Sequence, residues 1–435
     1  MTTRLTKTGW ENKNGNLLGT WTDRVDLVDE KEIIAPQGVT VNTFAGSDEI
    51  TGSRRNFRNV LFYGLRRVGI YNESDSTINT NTGEDKITGD GNIGIYNESD
   101  GTINTNTGKD KITGYADPNN ASKNNTIGIL NDGTIITGDG GDNISGYAIG
   151  DFSGGIVNFG QLGAGNGDDT VIGDGTSGGV NNGAGGIINT GNDNDNIIGT
   201  SDKDWGVYNG GFGERGSSTI YTGNGDDNII GTTTGNVGAG IASVLEGIIN
   251  TGDGDDSIIG TGFVGGIVCN SNGIINTDNG NDIIIGIGDI DGIAVGSFSG
   301  TNSSKGTIRT GKGNDIITGI GGIFNNTFSI INTGAGEDTV DALSGGFSGN
   351  GTIELGSDSD LIRGFGEQIV DGGKGFDTAR LGINFDPSQI TLNSTTASTS
   401  IDITFNSSTM FFTNVESFNF NGREFSLEQL QDMVA

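Results

Sequence analysis

The chain has 435 residues, with 82 Gly against 3 Pro, an apolar share of 31%, no His, and 55 acidic against 23 basic residues for a formal charge of −32. Glycine at this level without a G-X-Y period excludes collagen and implies many tight turns, and the recurrent Ile pairs exclude plain disorder and a membrane-spanning protein. The charge repels nucleic-acid phosphate and anionic lipid and attracts cations, while the lack of His removes the usual general base and the commonest zinc ligand.

Residues 1–40 hold Trp10, Trp21 and the mixed-charge stretch DRVDLVDEKEII, which suits a cap over an open sheet edge. The opening MTTRLTKTGWENKNG has no apolar core of the signal-peptide kind, so export without an N-terminal signal peptide is the expectation. Residues 53–67, SRRNFRNVLFYGLRR, place Arg54, Arg55, Arg58, Arg66 and Arg67 in one basic patch. Either the patch packs on the body as a cap or insertion, or it docks a partner's acidic edge with Phe57, Phe62 and Tyr63 as anchors.

From residue 41 to 380 one block recurs: apolar-x-Thr, then Gly or Asn, x, Gly, x, Asp, x, apolar, x, Gly, as in IYTGNGDDNIIG ending at Gly231 and INTGDGDDSIIG ending at Gly260. It aligns Asp48, Asp85, Asp110, Asp142, Asp169, Asp195, Asp227, Asp256, Asp282, Asp315, Asp338, Asp360 and Asp377 in one column. Five residues earlier stands Thr43, Thr80, Thr105, Thr137, Thr190, Thr222, Thr251, Thr277, Thr310 or Thr333. An upstream block ends in Asn at Asn72, Asn97, Asn131, Asn158, Asn209, Asn270 and Asn325, which suits a stacked amide ladder. Each repeat thus offers three short strands with period-2 alternation, too short to stand alone and stable only when stacked on the same strand of the next repeat. The expected fold is all-β, a right-handed parallel β-helix or β-solenoid of about 13 repeats with capping segments at both ends; at the usual strand spacing that is a rod on the order of 60 Å. A propeller blade of about 40 residues is longer than this repeat. Cys269, the lone cysteine, reads as a small buried hydrophobe.

Residues 381–435 read as β-hairpins followed by a short helix, SLEQLQDMVA, with Ser426 as its N-cap.

Stacking brings successive Asp carboxylates about 5 Å apart, where even water leaves a repulsion of roughly 0.8 kcal/mol per pair. Protonation, hydrogen bonding or cations must relieve it. Oxygen-only donors select a hard cation, and Ca²⁺ fits best, with Asp85, Asp110, Asp142, Asp169, Asp195, Asp227, Asp256, Asp282, Asp315, Asp338 and Asp377 as candidate ligands. The competing reading is that each Asp only accepts from turn amides. The copies GSDE at 46–49 and GSDSD at 356–360 lack part of the glycine pattern.

The turn resembles the haemolysin-type calcium-binding (RTX) nonapeptide, best in GGKGFDTAR (372–380), GNGDDTVIG (165–173) and GDGDDSIIG (252–260). The resemblance covers roughly residues 41 to 380 and implies Ca²⁺ held between coils by the Asp carboxylates and the carbonyls of the preceding Gly residues. One motif per coil, rather than tandem nonapeptides, departs from that family and leaves one edge for ions. The C-terminal segment also resembles the flank that carries an uncleaved signal for one-step (type I) secretion.

The expected function is a secreted or cell-surface calcium-binding protein with a structural or adhesive role, partnered by calcium and by polysaccharide, a cell surface or further copies, with no nucleic acid and no membrane span. No residue stands out as catalytic. The alternatives are a β-helix polysaccharide-modifying enzyme and an ice-binding solenoid that presents the aligned Thr column outward.

Overall fold

A computed structural model describes the chain except residues 1, 7–8, 13–16, 21–26, 31, 44–45, 54–67, 118–125, 212–215, 298–304, 395–398 and 434–435. Trp21 and the five arginines of the basic patch therefore lie outside the described residues. The chain forms two compact units, Met1–Gly235 and Asn236–Ala435.

In the first unit each coil runs through three strands. Lys86–Gly91, Ile93–Asn97 and Thr102–Asn104 form one such coil. Each strand pairs in parallel with its equivalent one coil on, in register by residue type: Ile87 faces Ile112 and Gly89 faces Gly114, Asn97 faces Asn131, and Ile103 faces Ile135. Three stacked parallel sheets result, which is a parallel β-solenoid, as the repeat predicts. They are named here the Asp, Asn and Thr sheets after the column residue at or beside their strands.

The core is three aliphatic columns. Ile87, Ile112, Ile144 and Val171 come from the Asp sheet, Ile95, Ile129, Ile156 and Val180 from the Asn sheet, and Ile103, Ile135, Leu162 and Ile188 from the Thr sheet, all 0–1% exposed. Burial of each is worth roughly 1.5–3 kcal/mol, so every coil adds three such terms and no coil has a core of its own. At the start of the chain Thr2–Thr6 pairs in parallel with Glu32–Ala35 and antiparallel with Gly9–Asn12.

The second unit repeats the plan with Ile258, Ile284 and Ile317, Ile241, Ile267 and Ile293, and Ile249, Ile275 and Ile308 as its columns. It closes with antiparallel hairpins that extend two sheets: Ser408–Thr413 joins Gln368–Lys374, and Ser417–Phe420 joins Thr378–Arg380. Here buried aromatics replace Ile, with Phe412 and Phe418 in an edge-to-face contact. Helix Leu427–Asp432 follows, with Ser426 as N-cap and Gln429 completing a capping box, as the sequence leads one to expect. No helix among the described residues is long and apolar enough to cross a membrane, which says nothing of a β-barrel.

Two sequence expectations are corrected. The Thr column does not face outward: all ten residues are fully buried, and hydroxyls such as those of Thr105 and Thr310 donate to the carbonyl of the next Thr one coil on. It presents no surface to ice. The Asn ladder is real in the first unit, where each side-chain amide from Asn72 through Asn97, Asn131, Asn158 and Asn182 donates to the next, ending on Asn209, at 2.7–2.9 Å. In the second unit, however, Ser243, Cys269 and Val295 hold that position before Asn325 restores the amide and donates to Gln368, so Cys269 and not Asn270 points inward. The strand Gly265–Cys269 keeps the register of its neighbours, in which the column residue follows the inward Ile by two, so Ile267 selects Cys269.

Candidate metal centre

The Asp column is built by the turn between the Thr and Asp sheets. Its second glycine, Gly108 or Gly140, has φ near +150° and sits directly on the coil before: a Cβ there would stand 1.4 Å from the carbonyl oxygen of Gly83 or Gly108. Only glycine fits. The same imagined Cβ would lie 3.1 Å from Asp110 Oδ1 and 3.2 Å from Asp142 Oδ1, so turn carbonyl and carboxylate oxygens converge at these two coils.

Every column Asp is 0–2% exposed, because it lies two residues before an inward Ile, Val or Ala and shares its face. The backbone N–H of each donates to Oδ1 of the Asp one coil on. In the first unit the run from Asp48 through Asp85, Asp110, Asp142, Asp169 and Asp195 to Asp227 does so at 2.7–2.8 Å. In the second it runs from Asp256 through Asp282, Asp315, Asp338 and Asp360 to Asp377 at 2.8–2.9 Å. One oxygen thus accepts an amide, from the Asp of the neighbouring coil rather than from its own turn, and the other is left over. Oδ2 of Asp85, Asp110, Asp142, Asp169, Asp195, Asp282, Asp315, Asp338, Asp360 and Asp377 is buried with no hydrogen-bond partner.

Burial is the main cause that drives these carboxyls up, to about 8 for Asp169 and Asp360, about 7 for Asp110, Asp195, Asp282 and Asp338, and about 6 for Asp85, Asp227 and Asp377. Burial raises Asp142 and Asp315 as well. The hydroxyl of the column Thr, the larger effect at Asp227, Asp282 and Asp315, and the amide from the neighbouring coil work against the shift, and the adjacent Asp charges reinforce it at Asp169 and Asp360.

All eleven predicted ligand candidates fall in this column, divided between the two units. Asp48 and Asp360, in the copies with poor glycine patterns, occupy the same position. At Asp360 the turn is kept by Asp358, which takes φ of 89° in place of Gly. Sequence reading missed Glu416, whose Oε2 accepts the N–H of Asp377 at 2.8 Å and ends the ladder. It also passed over an outer ladder of opposite direction, in which Asn194 N–H donates to Asp168 and Asp226 N–H to Asn194, all exposed.

Among the described residues no group of three or more acidic, His or Cys side chains gathers as a metal site. The carboxylates run in single file, so an ion here would draw on Asp oxygens and turn carbonyls together. That oxygen-only donor set, with its leftover buried Oδ2 atoms, fits a hard cation. The residues that would hold it are the column Asp side chains and the glycine carbonyls one coil away.

No family model matches the chain, so the haemolysin-type likeness rests on the motif alone, and no curated protein matches it. Among solved structures, a hyperactive, Ca²⁺-dependent, β-helical antifreeze protein from an Antarctic bacterium is similar at 16% identity and a TM-score of 0.41, covering 97% of each chain. Neither value is high enough to bear on what this chain binds.

Proposed function

We propose that the protein is a calcium-stabilised β-solenoid with a structural or adhesive role outside the cell or at its surface. The reading is carried by one observation: ten buried Asp carboxylates keep an oxygen without a partner. Leaving such groups ionised in a dry turn is costly, and a divalent cation removes the cost at each coil. Calcium is plentiful outside cells and scarce within them, so folding would complete on export. A chain of net charge −32 would self-repel until ions bind.

The test is circular dichroism and thermal unfolding of EGTA-stripped protein during titration with Ca²⁺ and, separately, Mg²⁺. A Ca²⁺-specific rise in melting temperature and β-signal is expected. An unchanged spectrum and melting curve would overturn the calcium reading.

A further inference from the structure

We propose that a cavity in the C-terminal hairpins is the docking site for the Arg-rich segment, residues 53–67, of a second copy of this chain. The cavity measures about 570 Å³, and its walls combine Phe376, Phe425 and Leu427 with the carboxylates of Glu416, Glu424 and Glu428. Among the described residues no basic side chain lines it. Phe376 is 59% exposed, a large aromatic surface left open beside two exposed glutamates.

The segment SRRNFRNVLFYGLRR is its chemical complement. It gathers five Arg, no acid and three aromatic residues in a chain with only 23 basic residues. A guanidinium can pair with a carboxylate through two parallel hydrogen bonds while its plane lies on a phenyl ring, a combination Lys does not offer. The hairpins already use this chemistry: Arg423 lies over the rings of Phe385 and Phe425 at 5.1 Å and 5.0 Å.

Every copy carries both halves, the acidic cavity and the basic segment, and the two differ in kind. The contact is therefore heterologous, and association continues from copy to copy unless its rotation closes a ring. Charge complementarity favours this occupant over an acidic or neutral partner in a protein whose surface otherwise repels its own kind.

The experiment is sedimentation velocity of the full chain across a wide concentration range, at constant saturating Ca²⁺ and at low and high NaCl. Wild type is expected to associate with rising concentration and to dissociate in salt. Glu424→Arg with Glu428→Arg, and separately Arg54→Glu, Arg55→Glu and Arg58→Glu, should each weaken association by about tenfold or more. All five positions lie off the Asp column. Mixing the two variants should restore pairs, since each retains one native half. Wild type that stays monomeric overturns the proposal. So do variants that associate like wild type, and so does a mixture in which both stay monomeric.

Discussion

Asp195 divides its two oxygens between two tasks: Oδ1 accepts the N–H of Asp169, and Oδ2 is left over. Two substitutions separate them. Asp195→Asn keeps an acceptor for Asp169 and removes a buried charge, so without calcium its urea midpoint should equal or exceed that of wild type, and its calcium-dependent gain should shrink. Asp195→Ala strands the Asp169 amide as well and should cost about 1–3 kcal/mol in either condition. If both variants behave alike, Oδ1 has no structural role. At Gly108 the limit is steric. Gly108→Ala would force a Cβ to 1.4 Å from a backbone oxygen at φ +149°, and more than about 3 kcal/mol should be lost in the same assay.

The strands were legible because period-2 alternation ties side chains two apart to one face. Asp85 and Ile87, or Ile70 and Asn72, lie inward together, as spacing alone requires. The same rule places Thr80 with Ile78, so an outward Thr column contradicts the alternation that defined the strands. Other features were not readable. Glu416 ends the Asp ladder only because Ser417–Phe420 pairs with Thr378–Arg380 across an intervening hairpin, a long-range fact absent from local spacing. Cys269, by contrast, was readable: it follows inward Ile267 by two, as Asn72 follows Ile70, and the Asn270 assignment is off by one residue. The Asn ladder gives a prediction for the Asn sheet: Asn131 accepts from Asn97 and donates to Asn158 and Gln161, so Asn131→Ala should cost about 1–3 kcal/mol by urea unfolding. A loss near zero would mean that the column tolerates apolar residues throughout, as it does at Val295.

For the whole molecule, the Asp columns set how stability follows pH. Their folded pKa values, about 6 to 8, stand above the ordinary carboxyl value of 3.8, so the folded state binds more protons than the unfolded chain between those limits. Stability contributed this way is present at low pH and lost as pH rises through the folded pKa values. Calcium-free protein should therefore melt higher near pH 5 than near pH 8. Saturating Ca²⁺ should lift the melt at pH 8 far more than at pH 5, because the ion competes with protons for the same oxygens. Scanning calorimetry at the two pH values, with and without EGTA, checks both signs. A calcium-free melt that rises with pH would show that the carboxylates are relieved in some other way.

The Asp ladder points one way: each coil gives one N–H to its successor and takes one from its predecessor. Any coil can then be removed, or another inserted, without orphaning a bond of the ladder, provided that the N–H of the last Asp still meets Glu416. Excision of residues 170–195 leaves Asp169 followed by Asn196, the same junction that Asp195 makes now, and lets Asp169 donate to Asp227. The shortened chain should fold with its Ca²⁺ response intact and one site fewer by isothermal titration. Growth by whole turns then leaves every bond of the ladder made, so the number of coils can change by unequal recombination while the two ends stay fixed.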